Sequence, residues 1–181
     1  HLSIRRQRQM CIRDRYSIQL ALEQEDELPS ISVMRGLEGQ YMKNLYKTLA
    51  TKHGISGFRR KIDSDDPVNQ GLNLSNSILY GCAASACAAL GINPALGVIH
   101  RGDARSLLFD IADLYKPTIS IPAAFECADE ADPLPALRRR MRSAIYRKEI
   151  LKDMVNVLMR ILSPHLPTRT DDRLISGRGE E

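Results

Sequence analysis

The chain has 181 residues, enough for one domain or slightly more. Its 43% apolar and 27% charged residues are ordinary for a globular protein, and 11 Gly with 9 Pro exclude collagen-like and low-complexity chains. Aromatic residues make up only 5%, with no Trp, which argues against an aromatic stacking platform for single-stranded nucleic acid. Of the 26 Lys and Arg and 22 Asp and Glu, residues 1–15 carry five arginines and one aspartate; the remaining 166 residues balance at 21 of each. The net charge of +4 therefore sits in the first fifteen residues and says nothing about the partner of the rest.

Residues 1–15 read as an artefactual or disordered segment. Gln9-Met10-Cys11-Ile12-Arg13-Asp14-Arg15 looks like translated adaptor sequence, and no apolar run marks a secretory signal. A basic nucleic-acid arm is the functional alternative. Residues 16–28 predict a short helix ending before Pro29. Ser30 caps a longer one over 31–53, closed by Gly54, and residues 54–66 form a loop. Pro67 opens a helix that Gly91 ends. Its run Ile78–Ile92 is uncharged but shorter than a bilayer span of ~20 residues and rich in small side chains. It reads as a central buried helix, not a membrane one.

Residues 92–103 predict an irregular connection or short strand carrying His100. A helix over 104–116 stops before Pro117, Pro122 opens another over 122–130, and a long helix or pair covers 135–162. Residues 163–181 predict a disordered tail. Period-2 alternation is absent, so the fold class is all-α, with residues 16–162 as one helical domain. Cys11, Cys82, Cys87 and Cys127 show no metal or disulfide spacing and fit a reducing cytoplasm.

Three signals bear on chemistry. On a helical wheel, Glu38 falls inside the apolar stripe of Ile31, Met34, Tyr41, Met42, Leu45 and Leu49, where an unpaired carboxylate would cost several kcal/mol. It calls for a metal or a buried arginine. Gly36 and Gly39 beside it suggest that something packs tightly against this turn. Asp110 and Asp113, three residues apart, share one edge of an apolar helix; they suit a divalent ion or a shared proton, or form a solvated acidic edge. His100 follows Gly97-Val98-Ile99, as a core histidine or a ligand. One imidazole with three carboxylates suits Mg2+ or Mn2+ better than zinc.

Arg35-Gly36-Leu37-Glu38-Gly39 resembles the R-G-x-E-G motif of the CRISPR-associated integrase family, metal-dependent endonucleases that insert new spacers into CRISPR arrays. Leu79-Tyr80-Gly81, Gly97-Val98-Ile99-His100, Asp110-Ile111-Ala112-Asp113 and Pro122-x-Ala124-Phe125-Glu126 follow in the family's order, most like its type I-E members. The resemblance covers about residues 16–162. It implies Glu38, His100 and Asp113 as ligands of Mg2+ or Mn2+, and Asp110 as a further catalytic carboxylate. It also implies double-stranded DNA (prespacer and repeat), a small ferredoxin-like CRISPR-associated partner and a homodimer, with no membrane. Tyr80 is its weaker candidate near the DNA end. Arg59, Arg60 and Lys61, and Arg138, Arg139, Arg140, Arg142, Arg147 and Lys148, are candidate phosphate contacts or solvated charged faces. The sequence departs from the family twice: Asp103 stands where family members carry Lys, and their β-rich N-terminal domain has no counterpart here. The expected enzyme is thus a truncated, helical catalytic domain; the alternative is a non-catalytic helical module binding DNA or protein.

Overall fold

The structure is a computed structural model that describes residues 31–97 and 99–162. Residues 1–15, the helix expected over 16–28 and the tail 163–181 lie outside the described residues. Within them the fold is all-α, with no strand. In chain order the helices are α1 (Ile31–Lys52), α2 (Pro67–Ala89), α3 (Ser106–Asp113), a π-helical turn (Lys116–Ser120), α4 (Ile121–Glu126), α5 (Pro133–Arg147) and α6 (Ile150–Leu162). No described helix is long and apolar enough to cross a membrane.

The ends of α1 and α2 follow from local chemistry. Gly54, at φ +67°, takes the left-handed position after α1, and the Ile55 amide reaches back to the Ala50 carbonyl. Asp66 caps α2 by accepting the Asn69 amide, with Pro67 in the first turn where its missing N–H costs nothing. Gly91, at φ +64°, closes it.

α2 is the central helix. It packs against α3, the π-turn, α4, α5 and α6. Leu72, Leu79 and Ala83 are fully buried along it, and burying a Leu is worth about 2 kcal/mol. Its small residues allow one close approach: a Cβ on Gly71 would lie 3.3 Å from both Ala124 Cβ and Leu137 Cδ2. One apolar cluster joins α2 to α3, α5 and α6 through Leu79, Ile111, Met141, Met154 and Leu158. A second joins α1 to α2 and α4 through Leu49, Val68, Leu72, Ile121 and Phe125, with Phe58 edge-on to Phe125 at 5.0 Å.

The structure corrects three sequence readings. The helix expected over 104–116 is shorter, and Pro117 does not end helical structure: it sits in the first turn of the π-helix, where no donor is required of it. The expected helix over 122–130 spans Ile121–Glu126. The segment over 135–162 takes the second of its two expected forms, a pair of helices, parted at Glu149, whose φ of 47° takes the chain out of the helix. Finally, a Cβ on Gly36 or Gly39 meets no described atom within 4 Å, so no described neighbour crowds that turn.

Candidate active site

The connection from α2 to α3 is drawn onto α3 by one buried carboxylate. Asp110 is fully buried, and its Oδ2 accepts the Ile99 amide at 3.1 Å while Oδ1 accepts the His100 amide at 3.1 Å. His100 Nδ1 lies 2.8 Å from the same Oδ1. A carboxylate that accepts two backbone amides suits the acceptor-only form, so Nδ1–H donates to it and Nε2 is the ring nitrogen turned away from Asp110. A carboxylate bonded in this way fixes the plane of the imidazole.

The turn tolerates no side chain at its start. A Cβ on Gly97 would lie 2.1 Å from the His100 carbonyl oxygen and 2.3 Å from Ser106 Cβ. Asp103 then starts α3: its Oδ1 accepts the Arg105 amide at 2.7 Å, and its carbonyl accepts the Ser106 hydroxyl at 2.7 Å. That use explains an aspartate at the position where the resemblance expects a lysine. The Arg105 guanidinium contacts Asp103 and lies 5.2 Å from the Phe109 ring centroid. Phe109 in turn meets Tyr80 edge-on at 5.1 Å and His100 at 5.8 Å.

Asp113, one turn from Asp110, has Oδ2 3.9 Å from His100 Nδ1. Its Oδ1 lies 2.6 Å from the ammonium of Lys116, which also donates to the Tyr80 hydroxyl at 2.8 Å. Burial pulls the Lys116 pKa down, but the charge of Asp113 and the Tyr80 oxygen outweigh it and hold the ammonium above its ordinary value. Sequence reasoning missed Lys116. Its signal was the three-residue spacing from Asp113 on a helix end.

The structure thus brings His100, Asp110, Asp113 and Tyr80 together. Among the described residues, no group of three or more His, Cys, Asp or Glu side chains is arranged to hold a metal ion. Glu38 is half-buried on α1. The same helix passes the site through Tyr46, whose hydroxyl is pushed up by burial, within reach of the charges of Arg60, Lys116 and Asp113. Glu38 stands eight residues, about 12 Å of helix, from Tyr46. The donor chemistry of His100 Nε2 and the Asp113 carboxylate fits a hard divalent ion, with Lys116 on the carboxylate oxygen such an ion would take.

The basic candidates divide. Arg60 is bound within the fold, to Asn69 Oδ1 at 2.9 Å and Asn73 Oδ1 at 2.5 Å, while Arg59 is exposed. Arg140 pairs with Glu126. Arg138, Arg139 and Arg142 are exposed and line an open groove of about 1000 Å3 with Tyr146 and Lys152.

A short helix bearing two aspartates, with a histidine on the turn before it, beside Tyr80 of a central buried helix, defines a class of helical domain with a ready-made polar site. A family model described as CRISPR associated protein Cas1 matches residues 3–131. The chain is 37% identical over 139 residues to CRISPR-associated endonuclease Cas1 2 of Thermus thermophilus, covering 73% of this chain and 43% of that protein. To CRISPR-associated endonuclease Cas1 of Escherichia coli it is 30% identical over 141 residues, 74% of this chain and 46% of that one. The solved structure entitled crystal structure of TtCas1-DNA complex superposes with a TM-score of 0.71 at 32% identity, over 88% of this chain and 58% of that chain. The chain belongs to the Cas1 family. It spans less than half the length of the two curated relatives named.

Proposed function

We propose that this chain is the catalytic helical part of a metal-dependent DNA endonuclease and integrase of CRISPR spacer acquisition. The observation that carries the reading is the clamp of Asp110 on His100 beside Asp113, in a chain of the Cas1 family. Glu38, His100 and Asp113 would hold Mg2+ or Mn2+. When bound, the ion supplies charge neutralisation at the phosphate and a lower pKa for the attacking hydroxyl.

The protein's own residues do the rest. A 3′-hydroxyl of captured DNA attacks a phosphodiester at the repeat boundary; the new bond joins its oxygen to phosphorus, the bond to the leaving 3′-oxygen breaks, the attacking proton passes to water, and the leaving 3′-oxygen takes a proton from water. Asp110 holds His100 in one orientation, and its full burial supports that positioning role over direct contact with the substrate. Lys116 offers its ammonium next to Asp113 and Tyr80, where a phosphate oxygen would sit. Arg59, Arg138, Arg139 and Arg142 contact DNA phosphates, with a smaller share from Arg60, which the fold already engages. The partners are double-stranded DNA, a small ferredoxin-like CRISPR-associated protein and a second copy of the chain. The relative solved as a DNA complex supports the first of these.

A second reading, a non-catalytic helical module for DNA or protein, draws on the engagement of Asp113 by Lys116. Strand transfer separates the two. In protein assembled with its partner, Glu38→Ala, His100→Ala and Asp113→Ala should each abolish joining of a labelled 3′ end to repeat DNA in Mn2+ while DNA binding survives. Full joining by Glu38→Ala at saturating Mn2+ removes Glu38 from the site.

A further inference from the structure

Asp113 and Lys116 lie on opposite sides of a change in helix type. α3 is only eight residues long and has no side-chain cap at its start. At its end the Tyr115 carbonyl accepts the Thr118 amide at 3.3 Å and the Ile119 amide at 2.9 Å, and the chain passes into the π-helical turn Lys116–Ser120. A π-turn inserted here sets the angle at which Lys116 leaves the helix relative to Asp113, and such turns recur at functional sites. Two turns of helix do not fix that angle by themselves; something outside must hold Tyr115.

That hold comes from α6. The Tyr115 ring is buried, 2% exposed, and its hydroxyl donates to Asp153 Oδ2 at 2.9 Å across 38 residues of sequence. Asp153 lies in the first turn of α6, where a carboxylate is favoured by the helix N-terminus, and its amide is bonded to the Glu149 carbonyl at 2.9 Å. Its neighbours Leu151 and Lys152 line the arginine groove. At the far end of the π-turn, Ser120 donates to Asn76 Oδ1 at 2.8 Å and its carbonyl accepts the Ser75 hydroxyl at 3.3 Å, which ties that end to α2.

We infer that Asp153 is a positioning residue for the reaction, acting through the Tyr115 hydroxyl to fix the spacing of Asp113 and Lys116. The inference rests on the strand-transfer reading of the site. Asp153 touches no reacting atom. It pins the residue between the two groups that face the phosphate, so its removal loosens their geometry in the transition state more than it weakens DNA binding.

The experiment compares Asp153→Asn, Asp153→Ala, Tyr115→Phe and the Tyr115→Phe/Asp153→Ala double variant in the assembled protein. Asn keeps an acceptor for the hydroxyl and drops only the charge. Asp153→Ala and Tyr115→Phe should each lower kcat for strand transfer by about tenfold or more, the usual scale for outer partners of a site, with KM for DNA unchanged within about twofold. Asp153→Asn should restore most of the rate, and the double variant should be no slower than the worse single one. A fall in KM-linked binding with kcat intact, additive losses, or failure of Asn to rescue would overturn the assignment. If the parent protein joins no DNA, the site reading fails and the tether is judged separately by amide exchange. Ile119 and Ser120 should then exchange faster in Asp153→Ala than in Asp153→Asn, and equal rates would refute it.

Discussion

Lys116 occupies the place of a counter-ion for Asp113: its ammonium lies 2.6 Å from Oδ1, and both side chains are less than one-fifth exposed. Removing it leaves a mostly buried carboxylate without that cation. Lys116→Met should destabilise the protein by about 3 kcal/mol in urea unfolding. If a divalent ion binds Asp113, the variant should recover more stability from added Mn2+ than the parent does, since the ion no longer competes with an internal cation. Equal responses would separate the ion from Asp113.

Asp110 gathers the Ile99 amide, the His100 amide and the His100 ring. Asp110→Ala orphans buried donors and should cost about 2–4 kcal/mol. Asp110→Asn keeps the volume but replaces one acceptor oxygen with a donor, and should cost less, about 1–2 kcal/mol. Chemical denaturation of both, with the imidazole followed by NMR, checks the order and shows whether His100 loses its single tautomer.

Gly97 and Gly81 make a matched pair. An added Cβ at Gly97 meets the His100 carbonyl at 2.1 Å, so Gly97→Ala should destabilise by about 3 kcal/mol and displace His100. Gly81 lies inside α2 on an exposed face with nothing within 4 Å of its built Cβ, so Gly81→Ala should stabilise by about 0.5–1 kcal/mol. Thermal and urea midpoints should move in opposite directions; a neutral Gly97→Ala would show that the turn relaxes freely.

Much of this was legible in the residues, and what was not has physical causes. Helices α1 and α2 announced themselves because Asp66, Pro67, Gly54 and Gly91 each do one local job at a helix end. Pro117 misled because proline ends an α-helix by withholding a donor, and the first turn of a π-helix asks for none. A pair of helices over 135–162 was open from the sequence, but its break at Glu149 was not placed, since no Gly or Pro marks that left-handed position. Asp110 and Asp113 looked alike as an acidic pair, yet one is sealed by loop amides and the other faces Lys116. That difference depends on a connection ten residues upstream, which periodicity cannot see.

Asp66 gives the pH dependence. Burial works to raise its pKa, but hydrogen bonds from Ser64 and from the amide and side chain of Asn69 outweigh it and hold the carboxyl below its ordinary value. A depressed carboxyl stabilises the fold above the ordinary carboxylate range, and that stability is lost as pH falls through the lowered folded value. Asp66→Ala should therefore cost about 1 kcal/mol at neutral pH and progressively less in acid. Urea midpoints of parent and variant at pH 7 and pH 3 test this; a gap that stays constant would place the effect elsewhere.

The two apolar clusters divide the molecule into parts of unequal autonomy. α1 meets the second cluster through Met42, Leu45, Tyr46, Leu49 and Ala50, and the first through Tyr41. The His100 turn, Asp110 and Asp113 hang from the first cluster, whose helices hold one another without α1. Detaching α1 would therefore expose the Phe125 aromatic group, against which Tyr46 of α1 packs. An ion shared by Glu38 with His100 and Asp113 would act as a clasp across that seam, so the protein would sense its own loading as the docking of a single helix.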